Sequence, residues 1–163
     1  QEVVDRIAEY RDAGAEWVLH VAHTPAAARV LAENLARYPA RGRTIAICGM
    51  LADKDVAAVV AQLRDRVDRW IAAGTDGPRS LGDAALADRA RGAGIEMAQG
   101  GTVATAMARA EREASSGDRI GRMALDPADG TSWNRKEFLR AGYRRASASS
   151  QRNRSNRNQI HSS

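Results

Sequence analysis

The sequence has few cysteines, few aromatic residues and no long apolar run, and each shortage excludes something. Cys48 is the only cysteine among 163 residues, so an internal disulfide is impossible and a reducing compartment such as the cytoplasm is expected. Aromatic residues make up 4% of the chain, so its core must be built mostly from Ala, Val, Leu and Ile. No apolar run approaches the roughly 20 residues that span a bilayer, so we expect no membrane-spanning helix.

The first residues lack two further features. Residues 1–5 read Gln-Glu-Val-Val-Asp, without an initiator Met and without the basic and then apolar pattern of a secretory signal. We therefore expect a fragment or a processed chain. Residues 1–14 carry four apolar side chains at helical spacing, which predicts a short N-terminal helix or a linker.

The positive charge of the chain is confined to its C-terminal segment. Residues 1–120 hold 16 basic and 17 acidic side chains, a net charge of −1, whereas residues 121–163 hold 9 and 3, a net charge of +6. The second segment is rich in Arg, Ser and Asn and poor in apolar residues, so we expect a disordered tail. Without a recognition motif, such a tail binds nucleic acid only non-specifically, through phosphate contacts.

Between these ends, short apolar runs alternate with alanine-rich helical patterns, which predicts an α/β fold with a Rossmann-like, mostly parallel sheet and flanking helices. Thr24, Asp53 and Ser80 are predicted helix N-caps. Strands are predicted at residues 17–22, 43–49, 68–73 and 94–98, with the start of a fifth at 117–120, and helices at 25–38, 54–66, 81–91 and 102–114.

The first strand-to-helix junction is the most informative. The apolar run ends at His23 and Thr24, and Pro25 follows in the first helical turn, where its missing N–H costs nothing. In open parallel sheets, ligands bind at such junctions, because side chains at the carboxyl end of the strand meet the positive end of the helix dipole.

Two motifs carry a family resemblance. Residues 18–25, Val-Leu-His-Val-Ala-His-Thr-Pro, resemble the Asp-x-Ala-His-Asn-Pro motif of the folylpolyglutamate synthase/dihydrofolate synthase family, in the ATP-dependent Mur ligase superfamily. Residues 49–55, Gly-Met-Leu-Ala-Asp-Lys-Asp, match its Gly-Met-Leu-x-Asp-Lys-Asp signature. The resemblance implies a Mur ligase C-terminal-like domain over residues 15–120. After residue 120 the family's apolar strand and last helix are not found, so we expect a domain truncated after its fourth helix.

The resemblance implies an enzyme that makes an amide bond. In this family a carboxylate of a folate or of dihydropteroate becomes an acyl phosphate, and the amine of glutamate attacks it. ATP and Mg²⁺ are held mainly by a central domain whose Gly-x-x-x-x-Gly-Lys-Ser/Thr loop is absent from this sequence. We therefore expect no ligase activity from this chain alone.

The resemblance also implies site residues at the first junction. His23 matches the family's histidine near the reacting phosphates and is the catalytic candidate. His20 stands where the family has an aspartate that touches ATP, and Thr24 stands where it has Asn; both are nucleotide-binding candidates. An imidazole cannot replace the fixed negative acceptor of a carboxylate. Because His20 and His23 should point to opposite faces of a strand, no metal site is predicted.

The second junction supplies three more cofactor-binding candidates, Asp53, Lys54 and Asp55. Lys54 is the only lysine before the tail, and its ammonium suits a phosphate or carboxylate. Composition alone favours a different interpretation, in which the two acids complement a helix dipole and the lysine is merely solvated; the signature match brings the two interpretations near parity. Arg79, in the third loop, has the same two interpretations.

Three alternatives to a ligase remain open from the sequence. The chain could be a solitary module that binds a nucleotide or another small anion without catalysis. It could be a degenerate gene remnant, which His20, Thr24 and the unusual tail favour. It could also be a basic nucleic-acid binder, whose affinity would depend on the tail and on salt.

Overall fold

The computed structural model describes residues 10–12, 15–20 and 22–123 of the chain. These residues form six strands and four helices, which alternate along the chain from the second strand onward. The strands are β1 (Tyr10–Asp12), β2 (Ala15–His20), β3 (Thr44–Cys48), β4 (Arg69–Gly74), β5 (Ala98–Thr102) and β6 (Arg119–Met123), and the helices are α1 (Pro25–Arg37), α2 (Val56–Ala61), α3 (Asp83–Arg91) and α4 (Val103–Glu113).

The strands form one sheet in the order β1-β2-β6-β3-β4-β5. Strand β1 pairs antiparallel with β2, and every other neighbouring pair is parallel. The chain moves outward from β3 to β5 and then returns through α4, so that β6 enters between β2 and β3. The predicted α/β fold with a mostly parallel sheet is confirmed.

Helices cover both faces of the sheet, which is why most residues of its central strands are buried. All five residues of β3 are buried. Ala46 and Cys48 pack with α1, α2 and α3, whereas Ile45 and Ile47 pack with α4. Residues that alternate along a strand thus reach two separate cores, as parallel sheets require.

The predicted inner stripe of α2 is confirmed, since Val56, Val59, Val60 and Leu63 are all buried. The helix itself is shorter than predicted. It begins at Val56 and ends at Ala61, and tighter turns follow, in which the Gln62 N–H bonds to Val59 O and the Leu63 N–H bonds to Val60 O.

Two predicted elements near the ends of the chain are wrong. Tyr10–Asp12 is a strand, not part of a helix, because it pairs with β2. The expected loss of the last strand does not occur: β6 continues to Met123 and lies in the interior of the sheet. Residues 1–9 and the predicted tail beyond residue 123 lie outside the described residues.

Two other boundaries shift for local reasons. The predicted strand at 94–98 becomes β5, four residues later, because the Ile95 N–H still bonds to Ala90 O at the end of α3 and Gly94 has a φ of 73°. Ser80 does not cap α3; Gly82 is its N-cap. Within the described part of the chain, no helix is both long enough and apolar enough to cross a bilayer.

Candidate functional site

The cap at the junction between β2 and α1 is built as the sequence predicts, although β2 ends at His20, two residues before the predicted end of the strand. Thr24 is the N-cap of α1: its side chain accepts a hydrogen bond from the Ala27 N–H at 3.2 Å, and Pro25 begins the helix. The Ala28 N–H bonds to Thr24 O at 2.9 Å. The cap fixes the angle at which the chain leaves the sheet, and it places His23 directly before the positive end of the helix.

His23 is half-buried, and its Nδ1 atom is buried without a hydrogen-bond partner. A buried polar atom without a partner costs free energy, and such atoms in native structures call for an explanation. A ligand group that bonds to Nδ1 would remove this cost. His20 is the last residue of β2 and lies opposite Met123 of β6.

The second junction differs from its prediction in one respect. The N-cap of α2 is Asp55, whose side chain accepts from the Ala58 N–H at 3.0 Å, not Asp53. Residues 51–54 form a turn first, in which the Lys54 N–H bonds to Leu51 O at 3.2 Å. Asp53 is therefore exposed, and its carboxylate lies 3.6 Å from the Lys54 ammonium.

The two junctions share an edge of the sheet without being neighbours. Both follow the carboxyl ends of parallel strands, but β6 lies between β2 and β3. With strands about 4.8 Å apart, β2 and β3 are separated by roughly 10 Å at this edge.

The third loop, between β4 and α3, meets the second loop at the same edge. Leu51 and Ser80 form an isolated antiparallel bridge, and the Ala52 N–H donates to Arg79 O at 2.8 Å. Thr75 Oγ1 and Ser80 Oγ are buried without hydrogen-bond partners. The carboxyl edge thus holds unsatisfied polar atoms in two of its loops.

Strand β6 brings a residue to this edge that the sequence analysis missed. Arg122 lies between Leu19 of β2 and Ile47 of β3 in the register, and it is 5% exposed. Burial lowers its pKa to about 10. Burial raises the pKa of Cys48, which lies opposite Met123 in the register, to about 12, so that side chain stays a thiol, as expected of a small core residue. An arginine is rare in an inner strand, and its presence hid the continuation of β6 beyond residue 120.

A metal centre is not formed by the described residues, among which no group of three or more His, Cys, Asp or Glu side chains could hold an ion.

Comparison with protein families places most of the chain in one of them. Residues 5–124 match the family described as "Mur ligase, glutamate ligase domain". Dihydrofolate synthase/folylpolyglutamate synthase of Escherichia coli is 44% identical over 62 residues, which cover 38% of this chain and 15% of that protein.

Solved structures agree with this match. A bifunctional folylpolyglutamate synthase/dihydrofolate synthase with Mn, AMPPNP and L-glutamate bound has a TM-score of 0.66 and 33% identity over 75% of this chain and 29% of that one. The enzyme from Yersinia pestis, complexed with AMPPNP and Mn ion, has a TM-score of 0.66 and 32% identity over 76% and 28%. The chain thus spans less than a third of the length of these relatives. It belongs to the Mur ligase family, of which it has the glutamate ligase domain.

Proposed function

We propose that the chain is the C-terminal part of an ATP-dependent amide ligase that adds glutamate to folates, to dihydropteroate, or to both. The observation that carries the proposal is the buried, unpartnered Nδ1 of His23, within the first motif and directly before a 13-residue helix. An imidazole whose Nδ1 has no hydrogen-bond partner, at the positive end of a helix, suits a phosphate oxygen. The relatives that bind AMPPNP have the same fold.

The groups at the carboxyl edge suit an anionic cofactor such as ATP. His23 would bond to a phosphate oxygen, with His20 and Thr24 at the nucleotide. Lys54, held near Asp53, would pair with a phosphate or with the carboxylate of glutamate, and Asp55 would keep α2 in place. ATP, when bound, supplies the phosphoryl group that activates the folate carboxylate. We assign Mg²⁺ mainly to the portion of a complete ligase that this chain does not span.

The proposal includes two consequences for this chain. It should catalyse no ligation alone, because the sequence lacks the phosphate-binding loop. The complete ligase should work in the cytoplasm.

Thermal unfolding of the 163-residue chain with and without Mg-ATP tests the proposal. A ligand that binds only the folded chain raises the midpoint, by the equivalent of about 2.7 kcal/mol at 100 times its Kd. We expect a rise for the wild type and none for His23→Ala. Arg37→Ala, at the far end of α1, is the matched control and should keep the rise. A wild-type midpoint that does not move at millimolar Mg-ATP would contradict nucleotide binding by this chain.

His20→Asp sharpens the test, because it installs the carboxylate that the family motif has at this position. We expect the Mg-ATP shift to grow in this variant. An equal or smaller shift would mean that position 20 makes no nucleotide contact here.

A second candidate function is a nucleotide-binding module without catalysis. It is favoured by the missing phosphate-binding loop together with His20 and Thr24 at family positions. Mg-ATP binding without ATP-dependent glutamate addition, even when the rest of a related ligase is supplied in trans, would support it. Restored ligation in that mixture would support the ligase instead.

A further inference from the structure

The loop at residues 49–55 is held by its backbone on one side. Leu51 bridges to Ser80, and the Ala52 N–H donates to Arg79 O at 2.8 Å. These contacts bind the Ala52 N–H group to the third loop. The carbonyl group of Ala52 has a different partner, which lies on a helix.

That partner is Arg89, whose Nη1 donates a hydrogen bond to Ala52 O at 2.6 Å. Arg89 belongs to α3, which is anchored in the core by Leu86 and Ala90, both 0% exposed. A hydrogen bond from a guanidinium is stronger than one between neutral groups. Both polar groups of the Ala52 backbone are therefore tied to neighbouring elements, one by the third loop and one by α3.

We propose that Arg89 is a positioning residue for Lys54. By holding the carbonyl of Ala52, it fixes the turn at residues 51–54 and so places the Lys54 ammonium at the carboxyl edge of the sheet. Arg89 acts through the backbone: the ion-pair partner of the Lys54 side chain is Asp53. That the placed ammonium then meets an anionic ligand rests on the proposed function; the placement itself does not.

The same helix offers a matched control. Arg91 lies two residues further along α3, and its guanidinium contacts Asp88 at 2.6 Å and Glu96 at 3.3 Å. Like Arg89, it is exposed and positively charged, but it contacts Asp88 of its own helix and Glu96 of the segment that follows the helix. Arg91→Met therefore removes a similar side chain without releasing Ala52.

Amide hydrogen exchange of the full chain tests the placement. Arg89→Met keeps the aliphatic stem and removes the donor. We expect exchange at the Ala52 and Lys54 amides to accelerate about tenfold, the effect of losing one charge-assisted hydrogen bond, while α4 is unchanged. Arg89→Lys should retain part of the protection, and Arg91→Met all of it.

The two lysines of the chain, Lys54 and Lys136, allow a direct readout of the side chain. After reductive ¹³C-methylation, the dimethyl signal of Lys54 should move in Arg89→Met and stay in place in Arg91→Met, with the Lys136 signal as internal reference. Unchanged exchange and an unmoved Lys54 signal in Arg89→Met would overturn the proposal. So would the same changes in Arg91→Met, or no retention at all in Arg89→Lys.

Titration with Mg-ATP separates this proposal from the proposed function. In the wild type we expect the Lys54 signal to respond to Mg-ATP, and in Arg89→Met to respond several-fold more weakly. If the wild-type signal does not respond, nucleotide contact at Lys54 fails, and ligand-free exchange still decides whether Arg89 places the loop.

Discussion

The two edges of the sheet differ in whether their buried polar groups have hydrogen-bond partners. At the amino edge, where the parallel strands begin, Asp118 is 4% exposed and accepts bonds from the Arg43 N–H at 2.7 Å, the Ser115 N–H at 2.9 Å and the Arg43 guanidinium at 3.0 Å. At the carboxyl edge, His23 Nδ1, Thr75 Oγ1 and Ser80 Oγ are buried without partners. The polar groups of Asp118 are thus satisfied within the chain, whereas these three atoms at the carboxyl edge leave hydrogen-bonding capacity unused.

The amino edge also carries an ion cluster on α4. The Glu113 carboxylate accepts bonds from Arg69 Nε at 3.0 Å and Arg109 Nε at 2.9 Å, and its carbonyl accepts from Arg43 at 2.8 Å. These contacts tie the start of β3 and β4 to the end of α4. If the amino edge serves stability, substitutions there should lower the free energy of unfolding more than substitutions at the carboxyl edge.

The largest expected effect is at Asp118. Asp118→Ala leaves the Arg43 and Ser115 N–H groups without their acceptor and should lower the free energy of unfolding by about 3 kcal/mol. Urea denaturation at pH 7 measures this. Asp88→Ala, which removes an exposed carboxylate from α3, is the control and should cost under about 1 kcal/mol. Equal losses at the two positions would break the contrast between a structural edge and an ordinary surface.

Glu113 makes the amino edge sensitive to pH. The Arg69 side chain, followed by Arg109, lowers the pKa of Glu113 to about 2 from its usual 4.5. As the pH falls, Glu113 therefore binds a proton in the unfolded chain before it does so in the folded chain. The stability contributed by the Glu113 carboxylate is present above pH 4.5 and is lost as the pH falls towards 2.

Glu113→Gln should therefore cost about 1 kcal/mol at pH 7, since the pair is partly exposed, and much less near pH 2.5. Urea unfolding at both pH values gives this difference. Glu33→Gln, on the exposed face of α1, should cost little at either pH. A loss for Glu113→Gln that is the same at pH 7 and pH 2.5 would mean that the carboxylate charge contributes nothing.

At the carboxyl edge the expected sign reverses. Thr75→Val removes a buried hydroxyl without a partner and should stabilise the chain by about 1 kcal/mol. The same substitution at Thr102 removes the acceptor for the Thr105 N–H at the start of α4 and should destabilise by about 1 kcal/mol. Thermal and urea unfolding of the two variants measure whether their stability changes in opposite directions. A destabilised Thr75→Val would show that its hydroxyl is already satisfied, by water for example.

The sequence predicted most of the fold, because its central elements follow simple patterns. Apolar runs marked β3 and β4, and an i, i+3, i+4 stripe marked α2. The cap at Thr24 was predictable because Pro25 follows it. Asp53 and Asp55 were both chemically able to cap α2, and only the turn at residues 51–54 decides between them.

Other features depended on contacts between distant residues. The bridge from Leu51 to Ser80 and the bond from Arg89 to Ala52 have no local signal, because each joins segments about 30 or more residues apart. The start of β6 was predicted, but its second half was hidden for a different reason. Gly121 and Arg122 are unfavourable in an inner strand, and pairing with β2 and β3 overrides that preference. The roles of His20, His23, Thr24 and the acidic pair around Lys54 stay predictions.

The smallest expected effect tests whether β6 is held by its neighbours despite its own composition. A Cβ at Gly121 would meet only Ile45 O, at 3.9 Å, so Gly121→Ala should fit and stabilise by about 0.5–1 kcal/mol through lower backbone entropy of the unfolded chain. At Gly100 in β5, a Cβ would lie 2.7 Å from Ala106 Cβ and 2.8 Å from Ala72 O. Gly100→Ala should therefore destabilise by 1 kcal/mol or more (about 1–3). Urea unfolding of this pair compares one substitution in two strands. Destabilisation at both positions would contradict this expectation. It would mean that Gly121 is required for packing in β6, as Gly100 is in β5.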